Sequence, residues 1–278
     1  MVYKTIIVHL DCGTRRSERL DLAVSVAAQF DARLIGLFAL DLYAGLPAAA
    51  DPGSILVEAE LQRREVCMGE AQAEFLSQCA TRSVRAEWQS TEDDAAKEVA
   101  CAAICADLVV IGQTDPDTRA EDGISASFAA DVVLSAGKPV LVVPYAGHFE
   151  GIGKRTLVAW NAAPEAERAL TDALPVLERS QAVEVVSFDE GGDHADPDDN
   201  ARLAVHTYLK DHGVNASVTH YFAEDLSPGE CILSQAFDDH ADCIVMGAYG
   251  QSSEKETLLG GATRTVMNSM TVPVIMSH

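Results

Sequence analysis

The chain has 278 residues with a formal net charge of −23, and nearly half of it is apolar. That length and composition give a globular protein with a sizeable core, of one large domain or two ordinary ones. The charge disfavours general binding to nucleic acid or anionic membranes, because a phosphate surface would be repelled.

The opening stretch MVYKTIIVHLDCG reaches a charged residue and a turn too early for a secretory leader. No apolar run reaches the roughly 18 residues of a membrane span. Seven cysteines are scattered, with Cys101 and Cys105 the only close pair. That pair reads as small buried residues in an alanine-rich helix rather than as metal ligands. An odd count without disulfide-like spacing fits a reducing cytoplasm, and a cytoplasmic location is expected.

Strand and helix signals alternate along the chain. Thr5–Leu10 is a β-rich run, and Ser17–Phe30 has helical apolar spacing with Ser17 as N-cap. Leu34–Leu40 is a strand, Tyr43–Ser54 a loop rich in Gly and Pro, and Ile55–Ala80 a long helix. Val84–Trp88 is a short strand, Asp94–Cys105 a helix, Leu108–Ile111 a strand, Ser125–Ser135 a helix and Val140–Val143 a strand. The same order then recurs. There Pro164 stands near a helix start and Gly213 just past a helix end.

The recurrence is also visible in residues. KTIIVHLD (Lys4–Asp11) resembles RTLVAWN (Arg155–Asn161), ADLVVIG (Ala106–Gly112) matches ADCIVMG (Ala241–Gly247), and KPVLVV (Lys138–Val143) matches VPVIM (Val272–Met276). Three matches in one order indicate two copies of one unit. We place them at residues 1–146 and 153–278, joined near Tyr145–Gly153. Alternating strands and helices with near-continuous apolar strands predict two tandem doubly wound α/β domains, Rossmann-like in type. Each is expected to hold a five-stranded parallel sheet with helices on both faces.

In such sheets ligands bind at the carboxyl ends of the strands. Gly247 ends a predicted strand, Gly250 follows, and Gly260 and Gly261 open a predicted helix, Ala262–Ser269. The free N–H groups and dipole of a helix start favour an anion, and Thr263 adds a hydroxyl there. A Gly-rich loop with no ligand is the plain alternative.

The pattern G-x-x-G, nine residues, then G and a small residue, with TVPVIM beyond, resembles the ATP-binding signature of the universal stress protein family. The resemblance covers both halves, so the chain looks like a tandem member. It implies ATP, with Mg2+, in the second half. Adenine and ribose would lie against Ala159, Trp160, Asn161 and Phe188. Met246 and Gly247 would flank the sugar, with Tyr249 and Gly250 nearby, and Gly260, Gly261, Ala262 and Thr263 would hold phosphates. Two positions depart from the family pattern. Asn161 stands where Asp is usual, and Gly261 where a hydroxyl residue is common.

The first half is expected to be degenerate. Asp115 replaces the second glycine, and Asp117, Glu121 and Asp122 follow with Arg119 as the only cation in Ile111–Asp131. Carboxylates about 4 Å from a phosphate would repel it by about 4 kcal/mol each at an effective dielectric near 20. Asp11 and Ser127 remain as isolated matches. No catalytic residue and no protein metal site are assigned: His194 lies in an acidic loop without ordered spacing, and Ser125, Ser127, Ser252 and Ser253 lack a histidine partner. Lys255 reads as a solvated charge.

These readings give a nucleotide-dependent stress-response regulatory module, at most a weak ATPase. The alternatives are a scaffold of the same fold without nucleotide, or a slow ATPase. An internal pseudo-dimer of the two halves is expected from their apolar last strands, with a homodimer of chains as a further level.

Overall fold

The computed structural model describes residues 2–41, 54–91, 94–114, 123–190, 199–223, 226–250 and 261–278. These fall into two compact units.

The first unit comprises residues 2–138 and 148–150. It holds β1 (Thr5–Leu10), α1 (Arg16–Phe30), β2 (Arg33–Ala39), α2 (Ile55–Thr81), β3 (Arg85–Thr91), α3 (Ala95–Ala103), β4 (Leu108–Gly112) and α4 (Phe128–Ser135). Its strands lie in the order β3-β2-β1-β4 and are all parallel. β1 and β4 are buried along nearly their whole length, as their apolar runs require.

The second unit comprises residues 139–147 and 151–278. It holds β5 (Val140–Val143), β6 (Arg155–Ala159), α5 (Pro164–Leu177), β7 (Ala182–Glu190), α6 (Asp199–Asp211), β8 (Ala216–Ala223), α7 (Pro228–Asp238), β9 (Cys243–Gly247), α8 (Gly261–Ser269) and β10 (Val274–Ser277). The order is β5-β10-β9-β6-β7-β8. All ladders are parallel except one: β5 and β10, the matched last strands of the two copies, pair antiparallel, with Ile275 opposite Leu141.

The matched ADLVVIG and ADCIVMG segments have a shared structural cause. The Asp107 carboxylate accepts from the Lys4 and Thr5 N–H groups, and Asp242 accepts from those of Gly153, Lys154 and Arg155. In each copy this aspartate ties the start of the first strand to the start of the fourth. It satisfies backbone donors that precede the ladder.

Some boundaries differ from the sequence reading. Ser17 is not the cap of α1; Arg15 occupies that position and offers no side-chain acceptor. β3 runs to Thr91 rather than Trp88, because Gln89, Ser90 and Thr91 continue the pairing with β2. These polar residues sit on a half-exposed edge strand, where apolar periodicity fades. Cysteine spacing also misled. Cys12 and Cys67 form a disulfide with Cα atoms 5.9 Å apart across 55 positions. The bond joins the β1–α1 turn to the middle of α2, so no local spacing announces it.

Candidate functional site

In the second unit β6 is flanked by β7 and β9. Strand order therefore reverses at β6, and a crevice opens beyond the carboxyl ends of β6 and β9. A cavity of about 360 Å³ lies there, within the range of small-molecule sites. Ten of the twelve residues singled out from the sequence line it: Ala159, Trp160, Asn161, Phe188, Met246, Gly247, Gly250, Gly261, Ala262 and Thr263.

Tyr249 does not line it. Its backbone turns left-handed at φ 55°, its N–H donates to Thr263 Oγ1 at 3.1 Å, and its hydroxyl reaches Met267 on α8 at 3.4 Å. Tyr249 thus holds the glycine loop against α8. Gly260 lies outside the described residues.

The cavity also takes residues that the sequence did not mark. Ala163, Glu165 and Ala166 come from the first turn of α5, Ser227 and Pro228 from the start of α7, and Thr265 from α8. Three helix N-termini therefore meet the cavity, as the fold requires of helices that follow strand ends. α5 begins with Pro164 at its first position, where a missing N–H costs nothing. α7 begins with a capping box: Ser227 accepts from the Glu230 N–H while the Glu230 carboxylate accepts from the Ser227 N–H. That end of α7 is already satisfied, whereas α8 opens with Gly261, Ala262 and Thr263 along the cavity wall.

Two of the described glycines, Gly247 and Gly250, have a packing cause. A Cβ on Gly247 would lie 2.6 Å from the Ala166 N and the Glu165 carbonyl carbon. A Cβ on Gly250 would lie 2.9 Å from Glu165 Oε2. Gly247 therefore admits the first turn of α5 onto the end of β9, and Gly250 admits the Glu165 carboxylate. Among the described lining residues Glu165 carries the only ionisable side chain.

Two groups bear on what the cavity can hold. The Asn161 Oδ1 accepts from the Ala163 N–H at 3.1 Å, closing the turn after β6. Its amide nitrogen keeps two donors for other partners. Trp160 lines the cavity, and its Nε1–H is buried with no hydrogen-bond partner among the described residues. A buried donor left unpaired costs about 1–3 kcal/mol. Phe188 stacks on Tyr221 with ring centroids 5.7 Å apart and presents an apolar wall.

The first unit is built differently at the equivalent place. Asp11 closes the same turn, its Oδ1 accepting from the Gly13 N–H at 2.9 Å. Its other oxygen lies 2.9 Å from Arg19 Nη2, with both side chains almost fully buried. The Arg19 guanidinium lies directly over Gly112, in contact with the position where a Cβ would stand. Thus an arginine from α1 covers the first glycine of this copy. Asp115, Asp117, Arg119, Glu121 and Asp122 lie outside the described residues.

The same cluster perturbs two titrations. Burial would raise the Asp11 carboxyl, but Arg19, His9 and the Gly13 N–H together bring it below its ordinary value. Burial lowers His9 to about 4; Asp11 opposes that shift and Arg19 adds to it. His9 is wholly enclosed, its Nε2 bonded to the Ala39 carbonyl at 2.8 Å and its ring 4.4 Å from that of Phe128.

Fold and site together define a tandem α/β protein with a ligand-sized crevice at the strand ends of its second copy. The universal stress protein family model matches residues 2–144 and again 153–278, so the chain belongs to that family, as a protein with two such domains. A universal stress protein from Archaeoglobus fulgidus DSM 4304 has a similar structure, with TM-score 0.73, 17% identity, and 98% of this chain and 95% of that one covered. A functionally unknown protein from Pseudomonas aeruginosa PAO1 is similar at TM-score 0.60 and 14% identity, over 99% of this chain and 92% of that one. At these identities the likeness is one of fold. No curated protein matches the chain. No helix among the described residues is long and apolar enough to cross a membrane.

Proposed function

We propose that the second domain binds ATP with Mg2+ in the crevice beyond β6 and β9, that the first domain does not, and that the protein works as a nucleotide-dependent regulatory module in the cytoplasm. The observation that carries this reading is the cavity itself, in which Trp160, Asn161 and Phe188 from the strand ends meet the first residues of α8. The indole and Phe188 offer apolar surface to a base. Asn161 offers amide donors to a ribose, and the α8 start with the Thr263 hydroxyl offers donors to phosphates. Thr263 Oγ1 accepts from Tyr249 and so keeps its own O–H to give.

Glu165 accounts for the metal in this reading. A carboxylate beside phosphate is repulsive in water-poor surroundings, and a divalent cation between them reverses the sign. Mg2+ would be held by phosphate oxygens and Glu165 and would neutralise both. The first domain supports the asymmetry, because Arg19 already pairs with Asp11 and covers Gly112.

Nucleotide released from denatured, freshly purified protein tests the reading, together with the thermal shift produced by Mg-ATP. Adenine nucleotide and a stabilising shift are expected. Their joint absence would overturn it in favour of a scaffold. Gly250→Asp, copied from the first domain, places a second carboxylate against Glu165 and is expected to abolish the shift. A slow ATPase is the second reading, favoured by Glu165 as the one ionisable side chain among the described residues lining the cavity. It predicts turnover that disappears in Glu165→Gln while binding persists.

A further inference from the structure

We propose that the first domain carries a thiol–disulfide exchange site, in which a small-molecule thiol enters a cavity beside α1 and reduces the Cys12–Cys67 bond. This cavity is separate from the nucleotide crevice, and the proposal stands without that reading. It measures about 610 Å³ and is lined by both cysteines together with Thr14, Arg16, Gln62 and Arg63. That volume suits a small molecule. A protein reductant needs a disulfide that stands clear of the surface, whereas Cys67 is only 8% exposed and Cys12 is half-buried.

The surroundings of the bond are asymmetric, and the asymmetry gives a direction. Cys12 is the more exposed residue of the two, and its sulfur is the one attacked. Arg16 Nη1 lies 3.5 Å from Cys67 Sγ, so the guanidinium stands beside the sulfur that must depart with negative charge. Arg16 is itself fixed, with its Nε on Glu74 at 3.1 Å and its Nη1 also on the Asp11 carbonyl. A leaving thiolate whose charge is stabilised leaves faster.

The first step is attack of the incoming thiolate on Cys12 Sγ. A bond forms between the small thiol and Cys12, the Cys12–Cys67 bond breaks, and Cys67 departs as thiolate beside Arg16. A second small thiolate then attacks the small-thiol sulfur of the mixed disulfide. The two small thiols leave as their own disulfide, and Cys12 departs as thiolate and takes a proton from water. Two small thiols are oxidised and one protein disulfide is reduced. The charges on this wall are balanced, with Arg16 paired to Glu74, Arg63 to Glu60 and Glu70 beside them, so the cavity sets the size of the thiol rather than its charge.

Two measurements with glutathione as probe test this on the full chain. The Cys67→Ser protein, treated with oxidised glutathione, is expected to carry a mixed disulfide at Cys12 on peptide mapping. An adduct confined to the exposed Cys101 and Cys105 would overturn the proposal. The disulfide-bonded protein is expected to be reduced faster folded than unfolded in urea. Arg16→Gln should slow the folded rate about three- to tenfold, and Arg16→Lys should largely restore it, as expected when leaving-group charge is stabilised. Equal rates for folded and unfolded protein, or no response to Arg16→Gln, would overturn it.

Discussion

His9 and Arg19 show how one buried position reorganises its neighbours. His9 is enclosed as the neutral ring, with its titration lowered to about 4 from 6.5. The unfolded chain therefore binds a proton between those values that the folded chain refuses. Stability is full above about pH 6.5 and falls as pH drops towards 4, by up to about 3 kcal/mol from this group alone. Denaturant unfolding at pH 7.0, 5.5 and 4.5 should show that slope, and His9→Gln should flatten it. The Asp11–Arg19 pair is a second residue-scale case. Arg19→Met leaves the Asp11 carboxylate buried without its cation, which costs about 3–5 kcal/mol. The matching loss in the midpoint of chemical unfolding is the check. Glu165 supplies a third. Glu165→Gln removes a negative charge from the cavity wall, so metal-free ATP should bind about tenfold more tightly, with less gain on adding Mg2+. Calorimetric titration with and without a chelator reads both numbers.

At the scale of elements, α7 and α8 approach closely because Gly229 has no side chain. A Cβ there would lie 2.6 Å from Thr265 Cβ and 2.9 Å from the Ala262 carbonyl. Gly229→Ala should push α8 away, cost about 1–3 kcal/mol by overpacking, and weaken Mg-ATP binding because the start of α8 moves with it. Thermal unfolding with and without nucleotide separates the two losses. Element order was legible in the sequence because burial on both faces writes continuous apolar runs, as in Leu108–Ile111 and Cys243–Val245. So was the position of the cavity, since Gly247 and Gly261 mark a strand end and a helix start. What the sequence concealed were partnerships between distant segments. The Cys12–Cys67 bond spans 55 positions, and Glu165 reaches Gly250 only because α5 docks on β9. The resemblance set Gly247 and Gly250 by the sugar, whereas their missing side chains first admit α5. Arg19 was equally hidden: it reads as one more helix surface residue until the fold buries it over Gly112.

At the scale of the whole molecule, the net charge of −23 opposes compaction. Raising ionic strength from low to physiological values should raise the melting temperature, because self-repulsion is screened beyond about 8 Å. The cross-link acts in the same direction as salt. Reducing Cys12–Cys67 frees a loop of the unfolded chain and should lower stability by about 2–4 kcal/mol, measurable as a lower melt after reduction and alkylation.

The antiparallel ladder between β5 and β10 joins the last strands of the two copies within one polypeptide. A protein with a single copy could complete such a ladder only by finding a second molecule, and dilution would undo it. Here the short segment after β5 keeps the partner at an effective concentration in the millimolar range, whatever the amount of protein present. The pairing is then immune to expression level. With no need for two equal subunits, each copy was free to change its own chemistry, and the neighbourhoods of Gly112 and Gly247 have diverged within a shared frame.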